Sequence, residues 1–286
     1  MLGLATLLAT EEGFNANVIL SHVGDSAPWI EGAWWSPTKA VLFMVVAALV
    51  VFIGVLRAVR GYDADGVPRT RWSQMLDPFV EHFYRDIALP HAGERFAPKV
   101  APLLLNFFFF ILTCNLLGLV PISEVMGVAL GPLVGHESFL YQKVIEGGST
   151  PTSNFNITAT LASITFFAII LFGIAKHGVV GHFAHLAPKG VPFPIRWFLL
   201  LPIEIISTLV KPFALTMRLA ANMTAGHLGI LGLLAIVFIL QSVLVGVPVV
   251  GLAVAIMLLE IIVAFVQAYV FALLSGVFIG MAIHSH

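Results

Sequence analysis

Two stretches of this chain are too long and too apolar to be ordinary helices. From Arg196 to Leu244, and again from Pro248 to Ile283, hydrophobic residues run on with few interruptions. About 20 residues of helix cross the roughly 30 Å of hydrocarbon in a bilayer. Both stretches exceed that, so each either breaks in two or lies steeply tilted. Pro202 and Pro212 offer kinks in the first. Gly246, Val247 and Pro248 read as a connecting turn. The two stretches then form an antiparallel hairpin. Water cannot be the solvent for such surfaces, because the chain has little polar material to cover them. It is 59% hydrophobic and 10% charged, where a soluble domain carries about a quarter charged residues. The expected fold is an all-α integral membrane protein with about five embedded helices, in one membrane domain.

Three shorter runs precede the hairpin: 38–56, 101–121 and 156–175. Glu11, Glu12, Asp25 and Glu31 lie before the first, and Arg57, Arg60, Arg69 and Arg71 after it. By the positive-inside rule the N-terminal 37 residues are outside and the basic loop is cytoplasmic. Trp29, Trp34 and Trp35 suit an outer aromatic belt. The loop after the second run carries Glu124, Glu137 and Glu146 against Lys143; the loop after the third carries Lys176, Lys189 and Arg196. The alternation places the C-terminus in the cytoplasm. Segment 70–90 differs. Trp72, Met75, Leu76, Phe79, Val80, Phe83, Tyr84 and Ile87 recur at three- and four-residue steps, with Asp77, Glu81, Arg85 and Asp86 between them. That pattern predicts an amphipathic helix on the cytoplasmic surface, or one packed on a partner subunit.

Several features exclude other classes. A net charge of −1 gives no footprint for nucleic acid. Cys114 is the single cysteine, in an apolar run, and reads as a small core residue. Met1 to Thr10 lacks the basic leading region of a signal peptide. His177, His182 and His185 read as a solvated loop rather than a metal site. Asn156-Ile157-Thr158 matches a glycosylation sequon but reads more simply as a helix start or a hydrated entrance group. No phosphate-binding glycine loop, HExxH or GxSxG is present in the sequence.

Ionisable groups at bilayer depth are costly and need a reason. Glu204, Lys211 and Arg218 are seven residues apart, 20° short of two turns, so they share a stripe of one helix. Asn222 lies near the same face. His227, nine residues beyond Arg218, points the other way. Glu260 and Gln267 share a face of the second long helix. Folding about Gly246 puts His227 opposite roughly residue 265, so His227, Glu260 and Gln267 can face each other. His and Glu together suit a proton relay, since both titrate near neutral pH when their surroundings shift them. The competing reading is a His–Glu pair that only locks two helices. Arg218 keeps its proton and acts as a fixed positive charge, whose anionic partner is expected on another chain.

The sequence resembles subunit a of the rotary ATP synthase membrane sector. The motifs are PIEIIS (Pro202 to Ser207), KPFALTMRLAANMTAGH (Lys211 to His227) and LLEIIVAFVQAYVFALL (Leu258 to Leu274), with weaker similarity through FNITATLA and NFFFFILTCNLLGLVPI. The resemblance implies a non-catalytic, cofactor-free stator subunit, with the ATP chemistry in other subunits. Arg218 is similar to the arginine that faces the ring of c subunits. Asn222, His227, Glu260 and Gln267 resemble the lining of an outer half-channel, and Glu204 with Ser207 that of an inner one. Lys211, Asn115, Glu124, Asn156 and Tyr269 are further candidates. In one branch of the family the His227 and Glu260 positions carry Glu and His; this chain has the reverse order. Gly118 stands where the family often has an acid, and Glu124 is the candidate substitute. The implied partners are the c ring, peripheral-stalk b subunits, the rest of the complex, lipid and protons, in a bacterial inner membrane. The alternative class, an ion-coupled secondary transporter, calls for paired helical halves of related polarity, which this sequence lacks.

Overall fold

A computed structural model describes residues 38–63, 65–119, 151–179, 181, 196–240 and 243–284. Among these the fold is helical, as expected, with five helices long and apolar enough to cross a membrane. In order they are α1 (Lys39–Val59), α2 (Arg71–His82), a π-helical segment (Phe83–Ala88), α3 (Leu89–Leu119), a 3-10 turn (Pro151–Ser153), α4 (Phe155–His177), a second π segment (Arg196–Leu200), α5 (Leu201–Leu240) and α6 (Val243–His284). Glu124, His182 and His185 lie outside the described residues, as do the expected outer N-terminal segment and its tryptophans.

The boundaries follow local chemistry. Thr70 caps α2: its side chain accepts from the Ser73 N–H while the Ser73 hydroxyl accepts from the Thr70 N–H. Such reciprocal capping satisfies two donors left open by helix geometry. The amphipathic stretch expected over 70–90 is helical but does not end before the next span. Helix continues through Leu89, and the direction changes at Gly93, where φ is 73° and ψ is 166°. Those angles are strained for any residue with a Cβ. The helix that carries the second expected span therefore begins before Ala101. At α4, the Asn154 side chain accepts from the Asn156 N–H at 2.8 Å. Asn156 is thus in the first turn, and Asn154 is the cap.

The two long stretches form helices of 40 and 42 residues, about 60 Å each. The expected turn at Gly246–Pro248 is a correction. Those residues are helical, because α6 already begins at Val243. Pro248 interrupts only one early hydrogen bond there, a tolerable loss near a helix start.

The chain divides into two compact units. Described residues of unit one are 38–49, 111–119, 151–157, 219–240 and 243–266; the remainder form unit two. Within unit two, the run Phe107–Phe110 looks two ways. Phe107 meets Phe271 edge-on at 5.4 Å, while Phe108 stacks with Phe79 at 5.8 Å and meets Phe83 at 5.3 Å. Consecutive helical residues point about 100° apart, so one run holds α6 on one side and α2 with its π extension on the other. Gly276 and Gly280 let α6 approach closely. A Cβ at Gly276 would lie 2.8 Å from Leu104 Cδ1, and one at Gly280 would lie 2.7 Å from His91 Cβ. The Trp72 indole donates to the Gly54 carbonyl at 2.9 Å, tying α2 to α1. The Tyr62 hydroxyl donates to Asp77 at 2.9 Å. Burial first, and then the bond to Asp77 and its charge, push the Tyr62 phenol pKa up.

Candidate functional site

In unit one, Glu260 is the centre of interest. Both of its carboxyl oxygens are buried and have no hydrogen-bond partner among the described residues. The carboxyl group lies directly against Gly226. A Cβ at that position would collide with Oε1 and stand 2.7 Å from Cδ. A side chain at 226 would therefore push the end of the Glu260 side chain aside, and Glu260 comes to rest one residue from His227. The His227 ring does not bond the carboxylate. Its Nε2–H donates to the Gly118 carbonyl at 3.2 Å. The missing acid at position 118 is thus matched by a backbone acceptor at the same residue. Asn115, buried, donates to the Ala264 carbonyl at 3.2 Å and accepts from the Thr152 hydroxyl at 2.7 Å. Asn222 and Asn156 are exposed.

The hairpin register explains what comes together. Gly226 faces Glu260 and Gly246 faces Val237, so the helices run antiparallel. These pairings put the residue opposite His227 near Glu260 rather than near the expected 265.

In unit two, Gln267 is buried and its amide donates to the Arg218 carbonyl at a long 3.5 Å. The Arg218 side chain is exposed, and among the described residues no carboxylate lies within ion-pair distance of it. Lys211 shares the expected stripe, and its ammonium sits over the Phe278 ring of α6, 5.9 Å from the centroid. Glu204 and Ser207 are half-buried. The Thr208 hydroxyl donates to the Glu204 backbone carbonyl at 2.9 Å. Thr216 is buried and donates to the Thr158 carbonyl at 3.0 Å, fixing α5 against α4. Tyr269 reaches His82 of α2 at 3.0 Å, and His82 in turn bonds Asp86 at 2.7 Å. No site list read from the sequence contains His82. Its only signal is the i, i+4 spacing to Asp86, which is common on any amphipathic helix.

Comparison with known proteins now decides the family. The model of the ATP synthase A chain family matches residues 41–280. The chain belongs to that family. Curated relatives named ATP synthase subunit a include one from Chloroherpeton thalassium, 39% identical over 251 residues, covering 87% of this chain and 67% of the relative. One from Anaeromyxobacter sp. is 37% identical over 254 residues, covering 88% and 55%. A third, from Pelodictyon phaeoclathratiforme, is 40% identical over 259 residues, covering 89% and 68%. The chain therefore spans between about half and two thirds of the length of these relatives. Family membership accords with the five long apolar helices among the described residues.

Proposed function

We propose that this chain is the stator subunit of an ATP synthase proton channel, with two offset half-channels separated by Arg218. The observation that carries the reading is Arg218 itself: an exposed, permanent charge on an apolar helix, with no carboxylate partner among the described residues. A guanidinium in hydrocarbon is costly, by estimates from about 3 to above 10 kcal/mol. A carboxylate on a neighbouring chain would offset that cost, which fits a ring of c subunits passing this face.

In this scheme protons enter from outside by way of His227, Glu260 and the polar groups near them, and neutralise a ring carboxylate. The neutral acid then moves into lipid. After nearly a full rotation another acid loses its proton toward Glu204, Ser207 and the cytoplasm. Arg218 favours the ionised acid near the interface and blocks direct passage between the half-channels. The Glu260 carboxyl, buried and without a partner among the described residues, supports the outer path, since such an acid is suited to exchanging a proton rather than to holding a fold together. ATP chemistry belongs to other subunits, and peripheral-stalk b subunits hold this one still. The chain sits in a bacterial inner membrane with its N-terminus outside and its C-terminus in the cytoplasm.

Purification in mild detergent tests the assignment. The stator reading expects a ring of small two-helix proteins and a large nucleotide-binding head to co-purify. Recovery of the chain alone or as a homo-oligomer would favour an ion-coupled transporter instead.

A further inference from the structure

We propose that Phe278 is a positioning residue for the inner half-channel: its ring holds the Lys211 ammonium against α6, out of the passage between Arg218 and Glu204. The proposal rests on the stator reading above. In that reading a ring acid at Arg218 gives up its proton toward Glu204. Lys211 stands midway, seven residues from each on one stripe of α5. Seven residues are about 10 Å of helix. An ammonium standing free in that passage repels a proton leaving through it, as fixed cations do in pores that exclude protons. Its charge has to be turned aside.

The Lys211 Nζ lies over the Phe278 ring, 5.9 Å from the centroid. The face of an aromatic ring attracts a cation, most strongly away from water. Among the described residues no carboxylate, Glu204 included, lies within ion-pair distance of Lys211. The contrast with Arg218 carries the inference. Both cations belong to one stripe, yet Arg218 is exposed on it while Lys211 is half-buried and drawn to α6. One charge faces outward and the other is withheld.

Helical register accounts for the contact. Gln267 meets α5 at the Arg218 carbonyl. Phe278, eleven residues on, returns to within about 20° of the Gln267 direction, so it faces α5 as well. Counted from the level of Gln267 and Arg218, Phe278 is about 16 Å along α6 and Lys211 about 10 Å along α5. The lysine side chain, five bonds of about 1.5 Å each, spans the remaining distance of about 6 Å. Side chains on a helix lean toward its N-terminus, which for α5 is the direction of the Phe278 level.

The test is ATP synthesis by vesicles under an imposed proton gradient, since synthesis sends protons out through the inner half-channel. Rates are normalised to assembled complex. Phe278→Leu keeps apolar bulk and removes the ring. It should slow synthesis about tenfold, the size expected for a unit charge about 10 Å away at an effective dielectric constant near 20. Phe278→Tyr keeps the ring and should keep most of the rate. Lys211→Met removes the charge altogether. Adding Phe278→Leu to Lys211→Met should cost nothing further, and the double variant should outrun Phe278→Leu alone. If Phe278→Leu slows synthesis as much on the Lys211→Met background as on the wild type, the ring is only packing and the proposal is overturned. It is overturned equally by a wild-type rate in Phe278→Leu, by equal loss in Phe278→Tyr, or by a Lys211→Met rate as low as that of Phe278→Leu. Phe278→Met takes the place of Phe278→Leu in every comparison should the latter not assemble. Arg218→Ala vesicles in the same assay keep the two ideas apart. Normal synthesis there sinks the stator reading itself, whatever the Phe278 variants show.

Discussion

Replacing Gly226 by alanine should disable the outer path by displacing Glu260. The added Cβ would collide with Oε1 and sit 2.7 Å from Cδ, against an ordinary carbon contact of about 3.5–4.0 Å. The carboxyl must therefore retreat by about 1 Å or more. Forcing a methyl into a filled space costs about 1–3 kcal/mol. Charged entirely against the conducting arrangement, that lowers proton flux by roughly 5- to 150-fold. The assay is proton pumping in inverted vesicles at equal assembly. Gly251→Ala is the control, since a Cβ there meets nothing within 4 Å and the change in helix propensity is the same. Adding Glu260→Asp to Gly226→Ala shortens the acid by about one carbon–carbon bond, roughly 1.5 Å. The double variant should recover part of the flux. If Gly226→Ala pumps as well as Gly251→Ala, or if the shorter acid brings no recovery, the packing of Glu260 on α5 does not matter to conduction.

Exchanging His227 and Glu260 should restore more flux than either single change, His227→Glu or Glu260→His, because it returns one imidazole and one carboxyl to the same region. A double exchange no better than the worse single change would show that the two residues do not work as a pair. Asn115→Ala removes the bonds to Ala264 and Thr152 and should destabilise the chain by about 2–3 kcal/mol. The thermal midpoint in detergent reads this, and a loss below about 0.5 kcal/mol would mean that the network is dispensable. Cysteine labels at Asp77 and Glu81 should react from the cytoplasmic side only; labelling from outside would reverse the proposed topology.

Span number was legible because apolar runs beyond about 20 residues have few alternatives in a polar solvent. The stripe from Glu204 to Arg218 followed from helix geometry alone. What the sequence hid was register. Moving the pivot of a hairpin by about three residues shifts the residue opposite a given position by about twice that. Gln267 therefore belongs with Arg218, and Glu260 with Gly226, although both acceptable partners look alike on paper. Close-approach glycines were equally silent. Gly226 and Gly276 stand among 25 glycines, and only the fold decides which of them faces a neighbour's side chain. His82 was concealed for another reason: on an amphipathic helix a polar residue is expected, and nothing local announces that its outer nitrogen meets a tyrosine 187 positions away.

The central claim is that Arg218 couples proton flow to the ring. Arg218→Ala in an assembled complex, assayed in vesicles for both ATP synthesis and ATP-driven pumping, addresses it most directly. Loss of both is expected, with passive proton leak as an additional sign that the barrier between the half-channels has gone. Normal ATP-driven pumping by that variant, at normal assembly, would contradict it.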